Sequence, residues 1–212
     1  MKIIVLGPQG SGKGTHSSKL SNVLNVPHIS SGDILRDNVS KQTELGIKAK
    51  EYMDKGDLVP DEIVIQLMKK RFEESDCNDG FILDGFPRTL EQAKELDKIA
   101  EIDIVLYLEI PEWLAIERLG NRVVCKNCKE IYNLKSVRPK QDGICDECGG
   151  ELYQREDETP EAIKQRLNEY KEKTEPLIEY YKNKGILKTF FCDKDNVPVE
   201  ENFQKILSIV RS

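Results

Sequence analysis

Close to the amino terminus a short apolar run, Lys2-Ile3-Ile4-Val5-Leu6, opens directly into Gly7-Pro8-Gln9-Gly10-Ser11-Gly12-Lys13-Gly14-Thr15. A β-branched run ended by Gly-Pro reads as a buried parallel strand. From Lys13 to about Asn25 the pattern is helical, with Leu20, Val23 and Leu24 on one side. Strand, glycine loop and helix together are the context in which G-x-x-x-x-G-K-[ST] cradles phosphate. The glycines let backbone N–H groups converge on oxygens, the helix start adds partial positive charge, and the lysine is a mobile cation. Gly7, Gly12 and Lys13 match, but Gly14 stands where a hydroxyl is expected and Thr15 arrives one residue late.

The rest of the chain alternates. Further strands are expected at about Val26–Ser30, Phe81–Leu83, Ile104–Leu108 and Ile186–Cys192. Helices are expected from the "SSGDILR" segment, over Lys41–Lys55, Asp61–Glu74, Leu90–Ala100, Pro111–Leu119 and Val199–Val210. One long helix is expected from Thr159-Pro160 to about Asn183, with Thr as cap and Pro in the first turn. This alternation predicts an α/β fold, an open parallel five-stranded sheet with helices on both faces.

At 212 residues the chain suffices for one full-sized domain with small inserts. Its 32 Lys and Arg against 38 Asp and Glu leave a net charge of −6, so no global positive field draws in nucleic acid. Any phosphate must therefore be held by a few placed cations. No run approaches the roughly 20 apolar residues of a membrane span, and the amino-terminal run is too short for a signal-peptide core. The expected location is cytoplasmic, where paired cysteines suggest metal rather than disulfides.

The segment Val123–Tyr153 breaks the alternation. Cys125-x-x-Cys128 and Cys145-x-x-Cys148, separated by sixteen residues, match the spacing of a tetrahedral zinc ribbon. Four sulfur ligands close the coordination sphere, which makes the expected zinc structural. Two disulfides or an iron site are the alternatives, disfavoured by compartment and spacing. Cys77 and Cys192 are isolated and are expected to be inert.

Two further stretches carry chemistry. In "FILDGFPRT", Asp84 ends a core strand, where open α/β sheets bind ligands, and it could orient magnesium-bound water. Arg88 offers a planar fork for a shared phosphate. In "ISSGDILR" the candidates are Ser31, Gly32 and Arg36.

G-x-x-G-x-G-K-G-T resembles the loop of nucleoside monophosphate kinases, in which glycine follows the lysine, and "DGFPRT" is similar to their acceptor-side motif. With a zinc ribbon between Arg122 and Arg155, the whole chain resembles the long-form adenylate kinases with a zinc-binding lid. The resemblance implies a P-loop core (1–29, 60–120 and 159–212), a helical acceptor-binding insert (30–59) and a lid (121–158). It implies reversible phosphoryl transfer from MgATP to AMP, with Lys13, Arg88, Arg122, Arg155 and Arg166 around the transferred group. Gly10, Ser11, Gly12, Lys13, Gly14, Thr15, Arg122, Ile131, Tyr132 and the Val197 backbone would hold the donor. Ser31, Arg36, Asp57, Leu58, Val59, Gly85, Arg88, Gln92, Arg155 and Arg166 would hold AMP, with Gln92 reading the base edge. A glutamine amide donates and accepts at once, as adenine requires.

The expected partners are ATP, AMP and ADP, with no nucleic acid, no membrane and a monomeric state. Ser31 keeps the hydroxyl of the threonine usual in adenylate kinases. A uridylate or cytidylate kinase on the same core is the nearest alternative, and a non-catalytic nucleotide-gated zinc-ribbon protein is one of another class. Arg118 is a sixth candidate cation, but its place on a helix reads first as a surface arginine. Asn121 replaces a common glycine at the lid entrance and is expected to stiffen it. His16 replaces a common glutamine, with no expected consequence.

Overall fold

The computed structural model describes residues 1–155, 158–194 and 197–212. The amino-terminal run forms β1 (Lys2–Leu6), and the loop after it delivers the chain into α1 (Lys13–Leu24). The other sheet strands are β2 (His28–Ser30), β3 (Phe81–Asp84), β4 (Ile104–Glu109) and, counting three short strands of the cysteine segment first, β8 (Leu187–Phe191). They pair in parallel in the order β2-β3-β1-β4-β8.

Successive residues of β1 point to opposite faces, and both faces are covered. Ile4 and Leu6 pack with Ile29, Leu83, Val105, Leu177 and Tyr181, whereas Ile3 and Val5 pack with Leu20, Ile82, Leu106, Phe203 and Ile206. The first face is closed by α4 (Asp61–Phe72), α5 (Leu90–Ile99) and α8 (Pro176–Asn183), the second by α1 and α9 (Val199–Arg211). A continuous apolar run was thus the right signature for β1.

The first insert is two helices, α2 (Ser31–Ser40) and α3 (Glu44–Lys55). The expected start at Lys41 moves to Glu44 because Gln42 has a φ of 51° and Thr43 caps the helix, accepting from Gly46 N at 3.0 Å. After β4, α6 (Glu112–Gly120) leads into β5 (Arg122–Cys125), β6 (Ile131–Asn133) and β7 (Leu152–Tyr153), an antiparallel sheet in the order β6-β5-β7.

The long helix expected after Thr159 is broken. α7 (Pro160–Glu169) is followed by a wider π turn at Tyr170–Thr174 before α8 begins at Pro176. Pro176 has no N–H and crowds the preceding turn, and the ladder widens there, with Glu175 N donating to Tyr170 O at 2.9 Å. Among the described residues, no helix is long and apolar enough to cross a membrane.

Candidate active site

The glycine loop leaves β1 at its carboxyl end, and sheet pairing sets what stands beside it. Val5 of β1 and Ser30 of β2 are both in register with Asp84, so the aspartate lies next to the loop. Gly10 adopts a φ of 83°, and a Cβ there would stand 2.8 Å from Ala115 O. Only glycine lets the loop lie so close to α6. A Cβ on Gly14 would lie 3.4 Å from Ile131 Cδ1 and 3.5 Å from Asp84 Oδ2. The position after the lysine therefore abuts both the cysteine segment and the carboxylate.

Lys13 Nζ donates to Gly7 O and Pro8 O, each at 2.8 Å. Burial lowers its pKa to about 7; Asp84 opposes the shift, while Arg88, Arg122 and Arg166 add to it. Three of the other four cations expected around a transferred phosphoryl thus act on Lys13. Arg155, the fifth, acts on Asp33 beside Arg36, and helps hold that carboxyl below its usual range against the effect of burial. Burial also pushes Asp84 up, but His28, whose Nε2 is 3.5 Å away, together with Lys13 and Arg88, holds it low and ionised. Ser11 Oγ is buried without a partner among the described residues.

Ser31, Arg36, Asp57, Leu58, Val59, Gly85, Arg88, Gln92 and Arg166 line a single cavity beside this centre. Ser31 Oγ donates to Gly85 O at 2.6 Å, and Arg88 Nε donates to the same oxygen at 2.9 Å. Gly85 has a φ of 76°, and a Cβ there would meet Ser31 Oγ at 2.9 Å. Gln92 is buried and held at both ends of its amide: Oε1 accepts from Arg88 N at 2.8 Å, and Nε2 donates to Asp61 Oδ1 at 2.7 Å. Asp57 Oδ1 accepts from Gln165 Nε2 at 3.0 Å, which ties the insert to α7.

In the cysteine segment the four sulfurs lie within 4.8 Å of one another. Cys125 Sγ is 3.4 Å from Cys148 Sγ, and Cys128 Sγ is 3.5 Å from Cys145 Sγ. Sulfurs bound tetrahedrally at about 2.3 Å stand about 3.8 Å apart, so the set fits one ion. Backbone amides of Asn127 and Cys128 bond to Cys125, and those of Glu147 and Cys148 to Cys145, as thiolates require. Tyr132 is buried in this ribbon, its Oη 3.5 Å from Cys145 Sγ and accepting from Asp146 N at 2.8 Å. Arg122 is paired with the buried Glu158. Val197 lies in the turn before α9.

Arg118 is not a plain surface residue. Its guanidinium approaches Gly10 O at 3.5 Å and Lys194 O at 3.4 Å, joining the glycine loop to the chain leading to α9. His16 is buried beside Phe203, with parallel rings 6.5 Å apart. Burial, with Arg118 and Lys19, lowers its pKa to about 4. Asn121 has a φ of −111°, open to any residue, and its Nδ2 donates to Glu117 O at 2.8 Å.

Three residues at the site escaped sequence reasoning: Gln9, Asp61 and Thr174. Gln9 lines the cavity, Asp61 orients Gln92, and Thr174 Oγ1 donates to Arg88 O at 2.9 Å from the π turn. Pro176 was the one available signal, since it marks the place where a helix must adjust.

A parallel sheet whose first strand feeds a phosphate loop, with an arginine-lined cavity opening beside that loop's lysine, defines a P-loop nucleotide-binding protein built to bring two phosphates together. The family model described as adenylate kinase matches residues 5–186. Proteins named adenylate kinase from Caldicellulosiruptor saccharolyticus, Archaeoglobus fulgidus and Clostridium tetani are 50%, 49% and 47% identical to it. These alignments span 99%, 100% and 99% of this chain and 100% of each relative. The chain belongs to the adenylate kinase family.

Proposed function

We propose that the protein transfers a phosphoryl group reversibly from MgATP to AMP, giving two ADP. The observation that carries this reading is the electrostatic meeting of Lys13, Arg88, Arg122 and Arg166 where the glycine loop opens onto the cavity. Phosphoryl transfer asks mainly for alignment and for cations around the moving charge. In this reading Gly10 to Thr15 hold the donor's phosphates, and Ile131, Tyr132 and the Val197 backbone meet the donor from the lid and the carboxyl-terminal side. Bound magnesium supplies further charge neutralisation, and the ionised Asp84 would hold it through water.

Ser31, Arg36, Asp57, Leu58, Val59, Gly85, Gln92 and Arg155 complete the acceptor side. The working division is a core of 1–29, 60–120 and 159–212, an acceptor insert of 30–59 and a lid of 121–158. Zinc on Cys125, Cys128, Cys145 and Cys148 is structural in this reading, since four sulfurs leave no open position. A single copy of the chain carries every residue named.

A coupled assay offering ATP with AMP, CMP, UMP and GMP in turn tests the proposal. AMP is the expected acceptor, and equal kcat/KM for a pyrimidine nucleotide would transfer the assignment to a uridylate or cytidylate kinase. No turnover with any acceptor would refute a kinase.

A further inference from the structure

One residue in the wall of the acceptor cavity comes from the donor's loop. Gln9 lies between Pro8 and Gly10, yet it lines the same cavity as Ser31, Gly85, Arg88 and Arg166. Its Oε1 is buried, and among the described residues nothing donates to it. A buried carbonyl oxygen with no donor is costly unless something arriving later completes its hydrogen bond.

We infer that Gln9 is a ligand of the acceptor nucleotide's phosphate. The inference rests on the proposed function, and it assigns the phosphate contact that this loop makes outside the donor's own site. Arg88 and Arg166 line the cavity together with Gln9, and their forks suit a phosphate, while the amide of Gln92 in the same wall is the group assigned to the base. An amide gives such a phosphate an N–H donor without adding charge, and its oxygen accepts from a guanidinium drawn in by the same phosphate. In the proposed function Lys13 and the loop amides serve the donor side. Gln9, carried on the same backbone, therefore registers the attacking oxygen of the acceptor against the phosphorus held by the loop. Transfer is sensitive to that alignment.

The test compares Gln9→Ala and Gln9→Glu with the wild type, after circular dichroism and melting show that each folds. In Gln9→Ala, kcat/KM for AMP should fall about 10- to 100-fold, with KM for ATP unchanged. Gln9→Glu, close in shape but anionic, should fall further. If Glu at this position outperforms Ala, Gln9 only fills space and the inference fails. It also fails if kcat/KM for AMP is unchanged in Gln9→Ala, or if KM for ATP rises as much as that for AMP. A penalty that vanishes with 3′-deoxy-AMP would move the contact to the ribose and overturn the phosphate assignment. Wild-type turnover of AMP in the same assay tests the proposed function separately, so an active wild type with indifferent Gln9 variants sinks this inference alone.

Discussion

Asp61 Oδ1 accepts the Gln92 Nε2 hydrogen bond at 2.7 Å, and the contact decides which end of the amide is nitrogen. A carboxylate can only accept and the Arg88 N–H can only donate, so the Gln92 amide cannot turn over without losing both bonds. Each end keeps one unused valence, a donor at Nε2 and an acceptor at Oε1. Adenine presents the complementary pair at N1 and N6, guanine and uracil present the reverse, and cytosine matches in pattern but not in size.

From this lock, GMP and UMP should be rejected far more strongly than CMP, and all three should trail AMP. Asp61→Asn removes the charge that orients the amide and leaves the Arg88 bond. The ratio of kcat/KM for AMP over GMP should therefore narrow by about tenfold rather than collapse. An unchanged ratio in the variant would show that the base edge is read elsewhere.

Lys13→Ala and Arg88→Ala should each lower kcat by about 10²-fold or more, because each cation acts on charge that develops in the transition state. The fold should survive, since neither side chain belongs to the apolar clusters. Near-normal kcat with an intact circular dichroism spectrum would remove the residue from the catalytic set.

ATP binding should take up protons at pH 8. Burial lowers Lys13 to about 7, so the free protein holds it mostly neutral at that pH, and bound phosphates favour the ammonium. The sign follows: affinity falls as pH rises through 7, and uptake disappears at pH 5.5, where Lys13 is already charged. Calorimetry in buffers of different ionisation enthalpy measures it. Lys13→Arg, charged throughout, should show none. A wild type that binds ATP at pH 8 without proton uptake would contradict the neutral lysine.

Zinc removal should act on stability more than on chemistry. The cysteine segment has a small apolar cluster of Cys125, Tyr132 and Cys145, flanked by Val123 and Leu152, and a metal on its four sulfurs would replace the core it lacks. Cys148→Ser should lose metal and melt the cysteine segment earlier than the main sheet, yet still turn over at low temperature. The three quantities can be measured on one sample. A wild type without zinc would overturn the metal assignment, and loss of all turnover in the cold with an unchanged melting temperature would make the metal catalytic.

The five strands of the parallel sheet, the phosphate loop and the cysteine quartet could be read from sequence because each depends on neighbours a few positions apart. β1 shows itself as a run buried on both faces, α1 follows from Lys13, and two Cys-x-x-Cys pairs carry their own geometry. The order β2-β3-β1-β4-β8 has no such local trace, and it is that order which sets Asp84 beside the glycine loop. Arg118 looked like surface because its partners, Gly10 and Lys194, lie 108 and 76 residues away. Asp61 and Gln92 are 31 apart, and Thr174 reaches Arg88 across 86. Periodicity reports which face of an element is apolar. Which polar group a side chain finds is settled only when folding excludes water and each buried donor must meet an acceptor brought from elsewhere in the chain.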